Sequence, residues 1–291
     1  MDLFPRTSIG GISVSRMIVG TNWFIGSSHA SLAKDMYIRE HVSDRNKIAD
    51  ILEIYLKAGV DGIMGPIAYD LLSDSIKEAE NRVGRRMVVI STPFLPFSND
   101  PNEVGFDLDG VEKILDNEAA CGAHICMPHQ SVTDTMLDRY SRKIRGMDTV
   151  CKMIRDRNMV PGLSTHMPET IIYADETGLD VETYIQIYNA MGFLMQIEVD
   201  WIADIIQNAR KPVLTIKPMA AGQIRPFQAL YFAWNSLRAC DMITLGTMSP
   251  REAEECIQMS LDILGHKKIS VPLQETRSKS SVKPKTEFKA K

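Results

Sequence analysis

The 291 residues, 44% hydrophobic and 24% charged, suffice for one large buried core, and the length suits one barrel of about 250 residues or two small domains. A formal net charge of -4 at pH 7 excludes the global basic field expected of a nucleic-acid binder, and no apolar run reaches the ~20 residues of a bilayer span. Cys121, Cys126, Cys151, Cys240 and Cys256 form no CxxC pair, which argues against a disulfide framework or thiolate zinc site and for a reducing, cytoplasmic setting. Met1 to Pro5 lacks the basic-then-apolar form of a signal peptide.

In chain order, Ile12 to Val19 is a predicted strand, followed by a long loop from Trp23 to Asp44. Ile48, Ile51, Leu52 and Tyr55 recur at helical spacing, so Lys47 to Lys57 is a helix stopped by Ala58-Gly59. The same unit then repeats. Val60 to Met64 is strand and Tyr69 to Arg82 helix; Met87 to Thr92 is strand and Val111 to Ala120 helix. His124 to Met127 is a strand followed by one long helical region, Val132 to Asp156. Val160 to Ser164 is strand, and Pro168 opens a helix that Gly178 ends. Strands at Thr183 to Tyr188, Val213 to Lys217 and Met242 to Leu245 alternate with helices at Val199 to Ala209, Phe227 to Ala239 and Pro250 to Leu264.

Eight strand–helix units predict an α/β fold with a parallel sheet buried on both faces, closed as a (β/α)8 or TIM barrel. An open doubly wound sheet fits less well, because no G-x-G-x-x-G follows the first strand. Residues 1–268 form the single expected domain. Residues 269–291 carry Arg277, Lys279, Lys283, Lys285, Lys289 and Lys291 against Glu275 and Glu287, and are expected to be a flexible basic tail.

Barrel sites are built at the C-terminal ends of the strands, so the polar residues there are the candidates. His129 follows the fourth strand and can act as acid, base or polarising donor. Strand period two places His124 with Cys126 on the helix side and Met127 with His129 on the other, which disfavours a His124–His129 metal pair. Ser164 and His166 share parity and can both face the mouth. Lys217 ends the seventh strand and can be a Schiff-base amine if desolvated, or the partner of an anion. Ser249-Pro250-Arg251-Glu252 forms a capping box, and the start of that helix after Gly246-Thr247 can also bind phosphate. The long first loop has the length of a lid, with His29 a further candidate.

Val14-Ser15-Arg16-Met17-Ile18-Val19-Gly20-Thr21-Asn22, Ala58-Gly59-Val60-Asp61, Gly162-Leu163-Ser164-Thr165-His166, Gln186-Ile187-Tyr188-Asn189, Lys217-Pro218-Met219-Ala220-Ala221-Gly222 and Gly246-Thr247-Met248-Ser249-Pro250 follow one another in the order of similar segments in aldo-keto reductases. The resemblance spans about residues 7–264 and implies a short N-terminal β-hairpin before the barrel. It also implies reduction of a small polar carbonyl by NADP(H), with Tyr69 and His129 in the places of the catalytic tyrosine and histidine. Met64 and Ser91-Thr92-Pro93 stand where that family carries its aspartate and lysine. The implied cofactor contacts are Thr21, Asn22, Ser164, Thr165, Gln186, Thr247, Ser249 and Arg251, with Glu252 and Cys256 near the adenosine phosphate. Two other readings stay open. One is an isomerase, lyase or hydrolase using His129, His166 and Lys217, with or without a metal. The other is a non-catalytic barrel that binds a small ligand.

Overall fold

The computed structural model describes residues 3–98, 105–273 and 277–282. Strands β1 (Arg6–Ile9) and β2 (Ile12–Ser15) form an antiparallel hairpin. Gly10 and Gly11, at φ 54° and 86°, supply the two left-handed residues that a tight hairpin turn requires. The barrel follows with β3 (Met17–Gly20), α1 (Leu32–His41), α2 (Arg45–Lys57), β4 (Gly62–Gly65), α3 (Asp70–Val83) and β5 (Val88–Ser91). A small ribbon, β6 (Phe97–Ser98) with β7 (Gly105–Phe106), precedes α4 (Leu108–Ala120) and β8 (Ile125–Cys126). Next come α5 (Gln130–Met136), the ribbon β9 (Leu137–Asp138) with β10 (Lys143–Ile144), and α6 (Met147–Arg155). The second half contains β11 (Val160–Pro161), β12 (Leu163–Ser164), α7 (Glu169–Thr177), β13 (Tyr184–Ile187), α8 (Val199–Asn208), β14 (Val213–Ile216), α9 (Pro226–Ser236), β15 (Met242–Leu245) and α10 (Pro250–Leu264).

The parallel segments run β11-β8-β5-β4-β3-β15-β14-β13-β12. Because β11 and β12 are halves of one strand, the ring holds eight strands, as the (β/α)8 prediction requires. The fifth strand changes neighbour at Gly162. Val160 and Pro161 pair with β8, whereas Leu163 and Ser164 pair with β13. A Cβ at Gly162 would sit 2.8 Å from Thr183 and 2.9 Å from Met127, so this crossing of close-packed neighbours admits only glycine.

Strand alternation divides the core in two. Ile18, Ile90, Ile125, Met127, Val160, Ile185, Leu214 and Met242 fill the barrel interior together with Ile9 and Val14 of the hairpin. Val19, Ile63, Val89, Cys126, Leu163, Tyr184 and Ile243 face the helices. The hairpin therefore packs into the N-terminal end of the barrel, leaving the C-terminal end for the site.

Four predicted elements change. The long first loop contains α1, whose only buried residue is Ile38; Leu32, Met36 and Tyr37 are exposed, so its apolar residues mark no core-facing stripe, although Ser31 caps it by accepting the Lys34 N–H. The helix expected over Val132 to Asp156 is two helices. Asp138 accepts bonds from the Tyr140 and Ser141 N–H groups, a local turn that competes with helix, and Gly146 at φ 67° starts α6 anew. The fourth strand shortens to Ile125–Cys126. The tail does not come loose at residue 269. Ile269 and Val271 pack on the core, Asp262 accepts both the N–H and the hydroxyl of Ser270, and Arg277–Val282 form a 3-10 helix. The rest of the predicted tail, 274–276 and 283–291, lies outside the described residues. Among the described residues no helix is long and apolar enough to cross a membrane.

Candidate functional site

The C-terminal ends of the strands and the loops beyond them enclose a cavity of about 700 Å³. Lys217 is one of its lining residues. Leu214 and Ile216 of β14 face the barrel interior, so simple alternation would point Lys217 towards the helices. Its backbone is instead left-handed, at φ 59°, and its side chain lines the cavity. Ala220 and Ala221 in the same loop are also left-handed, at φ 48° and 56°. Each such residue costs about 1–2 kcal/mol, and strain of this kind persists where surrounding structure holds it, commonly at functional sites. Here the holding bonds are Ala220 N–H to Lys217 O at 3.0 Å and Gly222 N–H to Met219 O at 2.9 Å. The Lys217 ammonium has no hydrogen bond or carboxylate partner among the described residues, and burial pushes its pKa down to about 8.

Three imidazoles surround that amine. His129 caps α5, where its Nδ1 accepts the Ser131 N–H at 3.3 Å and lies 2.9 Å from the Ser131 hydroxyl. In the neutral ring this leaves the hydrogen on Nε2, available as a donor. The ring also lies against Phe94, centroids 4.0 Å apart. Burial, then Lys217, lowers the His129 pKa. His166 follows β12, its backbone N–H donating to Asp134 at 3.1 Å. Burial first, then repulsion from Lys217, His129 and His29, brings its pKa down to about 4. His29 reaches the cavity from the first loop with φ 58°; burial and Lys217 lower its pKa, partly offset by Asp35. Lys217 thus acts on all three rings, which are neutral around neutral pH.

Eight of the residues expected at the site line this cavity: Thr21, Asn22, Tyr69, His129, Ser164, His166, Lys217 and Thr247. Tyr69 is 59% exposed, and its hydroxyl makes no hydrogen bond among the described residues. Met64 and Thr92, standing for the aspartate and lysine of the reductase pattern, line it too. His124 does not; its Nδ1 accepts the Val89 N–H at 3.2 Å, as its parity foretold.

Four expected cofactor contacts lie elsewhere. Thr165 has the opposite parity to Ser164 and is buried, its hydroxyl donating to Asp134 and lying 3.0 Å from that of Thr170. Gln186 shares parity with Tyr184 of the outer layer and is buried away from the cavity. Ser249 only caps α10, accepting the Glu252 N–H at 3.2 Å. Arg251 is engaged on the surface with Glu255 and Glu254, at 3.0 and 3.3 Å. The carboxylate that does reach the cavity is Glu252, whose Oε2 accepts the Met248 N–H at 2.7 Å. Cys256 beside it is buried, with its thiol pushed up to about 12, and is no nucleophile. Of the three residues that the resemblance assigns to a nicotinamide amide, Ser164 lines the cavity while Thr165 and Gln186 do not, and Glu252 would repel an adenosine phosphate placed beside it. Among the described residues no three His, Cys, Asp or Glu side chains gather to hold a metal ion.

Two functional residues escaped the sequence reading. Arg225, at the start of α9, lines the cavity as a second cation. Asp134 positions the His166 segment by accepting from the Thr165 hydroxyl and the His166 N–H, while the Met167 N–H donates to Thr165 Oγ1; burial raises the Asp134 pKa against the bonds it accepts. Arg225 could have been sought as a cation in the seventh loop. Asp134 gave no signal, because it lies within a predicted helix.

No protein-family model matches the chain, and no curated protein matches it in sequence. Solved structures do match in fold. A Pseudomonas aeruginosa protein assigned as an aldo-keto reductase superposes with a TM-score of 0.63 at 15% identity, over 90% of this chain and 97% of that one. Aldose reductase from Giardia lamblia gives 0.52 at 10% identity, over 91% and 94%. Phospho-2-dehydro-3-deoxyheptonate aldolase from Thermotoga maritima gives 0.53 at 12% identity, over 91% and 74%. The chain therefore has an aldo-keto-reductase-like (β/α)8 fold, of a kind that reductases and aldolases share.

Proposed function

We propose that the protein is an enzyme acting on small carbonyl compounds through Lys217, as a carbon–carbon lyase or an isomerase. The observation that carries this reading is the half-buried Lys217 side chain, without a hydrogen bond or carboxylate partner among the described residues, in a cavity that His29, His129 and His166 also line. A desolvated lysine is a nucleophile near neutral pH. The Lys217 ammonium gives one proton to solvent, and the neutral amine attacks the carbonyl carbon, whose oxygen accepts a hydrogen bond from His129 Nε2. One nitrogen proton passes to that oxygen, a proton from solvent joins it, and it leaves as water. The sum is carbonyl plus ammonium giving a protonated imine plus water. The positive imine nitrogen then draws electrons from a neighbouring C–H or C–C bond.

Borohydride trapping tests this directly. With a small aldehyde or ketone, the protein is expected to gain one stable adduct on intact-mass analysis, mapped to Lys217 by peptide sequencing. No adduct with any of a panel of small carbonyl compounds would overturn the reading.

The reductase reading has one observation in its favour besides the fold: the cavity runs from His129 to Glu252 and Cys256 of α10. With Thr165 and Gln186 turned away, NADPH is expected not to bind at micromolar concentration. Saturable binding in a fluorescence titration would restore that reading.

A further inference from the structure

We propose that the substrate of this site carries an anionic group, a carboxylate or a phosphate, and that Arg225 holds it. This rests on the carbonyl reading for the role of Lys217, but the anion subsite has its own observations. Arg225 lines the cavity yet has no hydrogen bond or ion pair among the described residues. Several arginines elsewhere are ion-paired: Arg82 with Asp50 and Glu78, Arg155 with Asp180 and Glu182, Arg157 with Asp116 and Glu112. Arg225 is exposed at the rim of the partly apolar cavity, where its planar donors are free to meet a carboxylate or phosphate.

The charge balance of the cavity agrees. Among the described residues its only lining carboxylate is Glu252, already accepting the Met248 N–H. Against it stand Lys217 and Arg225, and the three imidazoles add no negative charge. The two cations are the ends of one loop. Within that loop Gln223 N–H donates to Ala220 O at 3.2 Å and Ile224 N–H to Met219 O at 3.1 Å, while Ala229 N–H donates to Arg225 O at 3.0 Å in α9. The strained turn thus holds the Lys217 and Arg225 backbones in a fixed relation before any ligand arrives, which lowers the cost of binding one molecule at both. Glu252, on the α10 side, repels an anion there. A substrate is therefore oriented with its carbonyl at Lys217 and its acid group towards α9.

The test has two arms. In the first, borohydride trapping is compared for acetone, pyruvate and dihydroxyacetone phosphate. An anionic carbonyl is expected to be trapped about tenfold faster or more than acetone, and the faster of the two identifies carboxylate or phosphate. Arg225→Gln brings that ratio towards one, and Arg225→Lys restores part of it. Equal trapping of neutral and anionic compounds by the unaltered protein would overturn the inference while leaving the carbonyl chemistry intact. In the second arm, acetate and inorganic phosphate are titrated calorimetrically without any carbonyl compound. One of them is expected to bind, about tenfold more weakly to Arg225→Gln. If nothing is trapped in the first arm, this titration still decides: anion binding unchanged in Arg225→Gln, or absent from both proteins, rejects the subsite.

Discussion

Lys217→Met is expected to abolish adduct formation and lower turnover at least about a thousandfold, while making the protein more stable. The lysine is half-buried without a partner among the described residues, and its pKa falls from 10.5 to about 8 on folding. Each unit corresponds to about 1.4 kcal/mol, so keeping the charge inside costs roughly 3 kcal/mol at pH 7. The sign follows from proton counts. Below pH 8 both folded and unfolded chains hold the proton and the penalty is fully present. Between about 8 and 10.5 the unfolded chain binds more protons, so stability rises with pH and the penalty disappears. Methionine fills much of the same space without charge and inherits only the left-handed backbone. A gain of roughly 1–3 kcal/mol at pH 7 corresponds to several degrees in melting temperature. Thermal unfolding at pH 7 and pH 10 measures both parts: the variant melts higher at pH 7, and the gap narrows at pH 10. A variant less stable than its parent at pH 7 would contradict the unpaired, desolvated amine. The same ionisation gives kcat/KM a limb that rises towards pH 8, where the neutral amine becomes abundant.

Asp241→Ala is expected to cost about 3–5 kcal/mol and to leave trapping by the remaining folded protein unchanged. Asp241 is fully buried. Its carboxylate accepts the Val213 N–H at 2.8 Å and three donors of Arg238: the backbone N–H and Nε at 2.9 Å and Nη2 at 2.7 Å. Arg16 donates to the carbonyls of both residues, at 2.9 and 2.7 Å. This cluster ties the first residues of β14 and β15 together at the end of the barrel opposite the site. Removing the carboxylate leaves the Arg238 charge without its anion, held only by the Ala209 and Lys211 carbonyls, and strands the N–H groups of Val213 and Arg238. Urea denaturation gives the loss. A loss below about 1 kcal/mol would show that the cluster relaxes, and a parallel fall in trapping rate would show that the two ends of the barrel are coupled.

The barrel was legible because each strand is a short apolar run beside a helix of amphipathic period, and a two-residue alternation survives burial on both faces. That alternation also sent His124 outward and Ser164 with His166 inward, as found. It would have moved Thr165 and Gln186 away from the cavity as well, had parity been weighed ahead of likeness to a reductase. Lys217 reached the cavity for a reason no hydrophobic pattern carries, a left-handed backbone at a non-glycine residue. Helix α1 was missed because it buries only Ile38 and leaves Leu32, Met36 and Tyr37 exposed, so no core-facing stripe marks it. The break between α5 and α6 depended on the side-chain bonds of Asp138, which compete with helix only in three dimensions. Arg225 lacked any pattern; it becomes visible once the carboxylates around it can be counted.

The hairpin stopper made by Ile9 and Val14 has a consequence for traffic. With the far end shut by packed side chains, substrate and product of the proposed reaction enter and leave at the C-terminal end of the barrel, where the first loop and the turn that carries Arg225 line the cavity. Entry by a second molecule waits on departure of the first, so product should compete directly with substrate. Changes in Phe94, Tyr69 or the first loop then act on the rate of passage even where they never touch the bond being made.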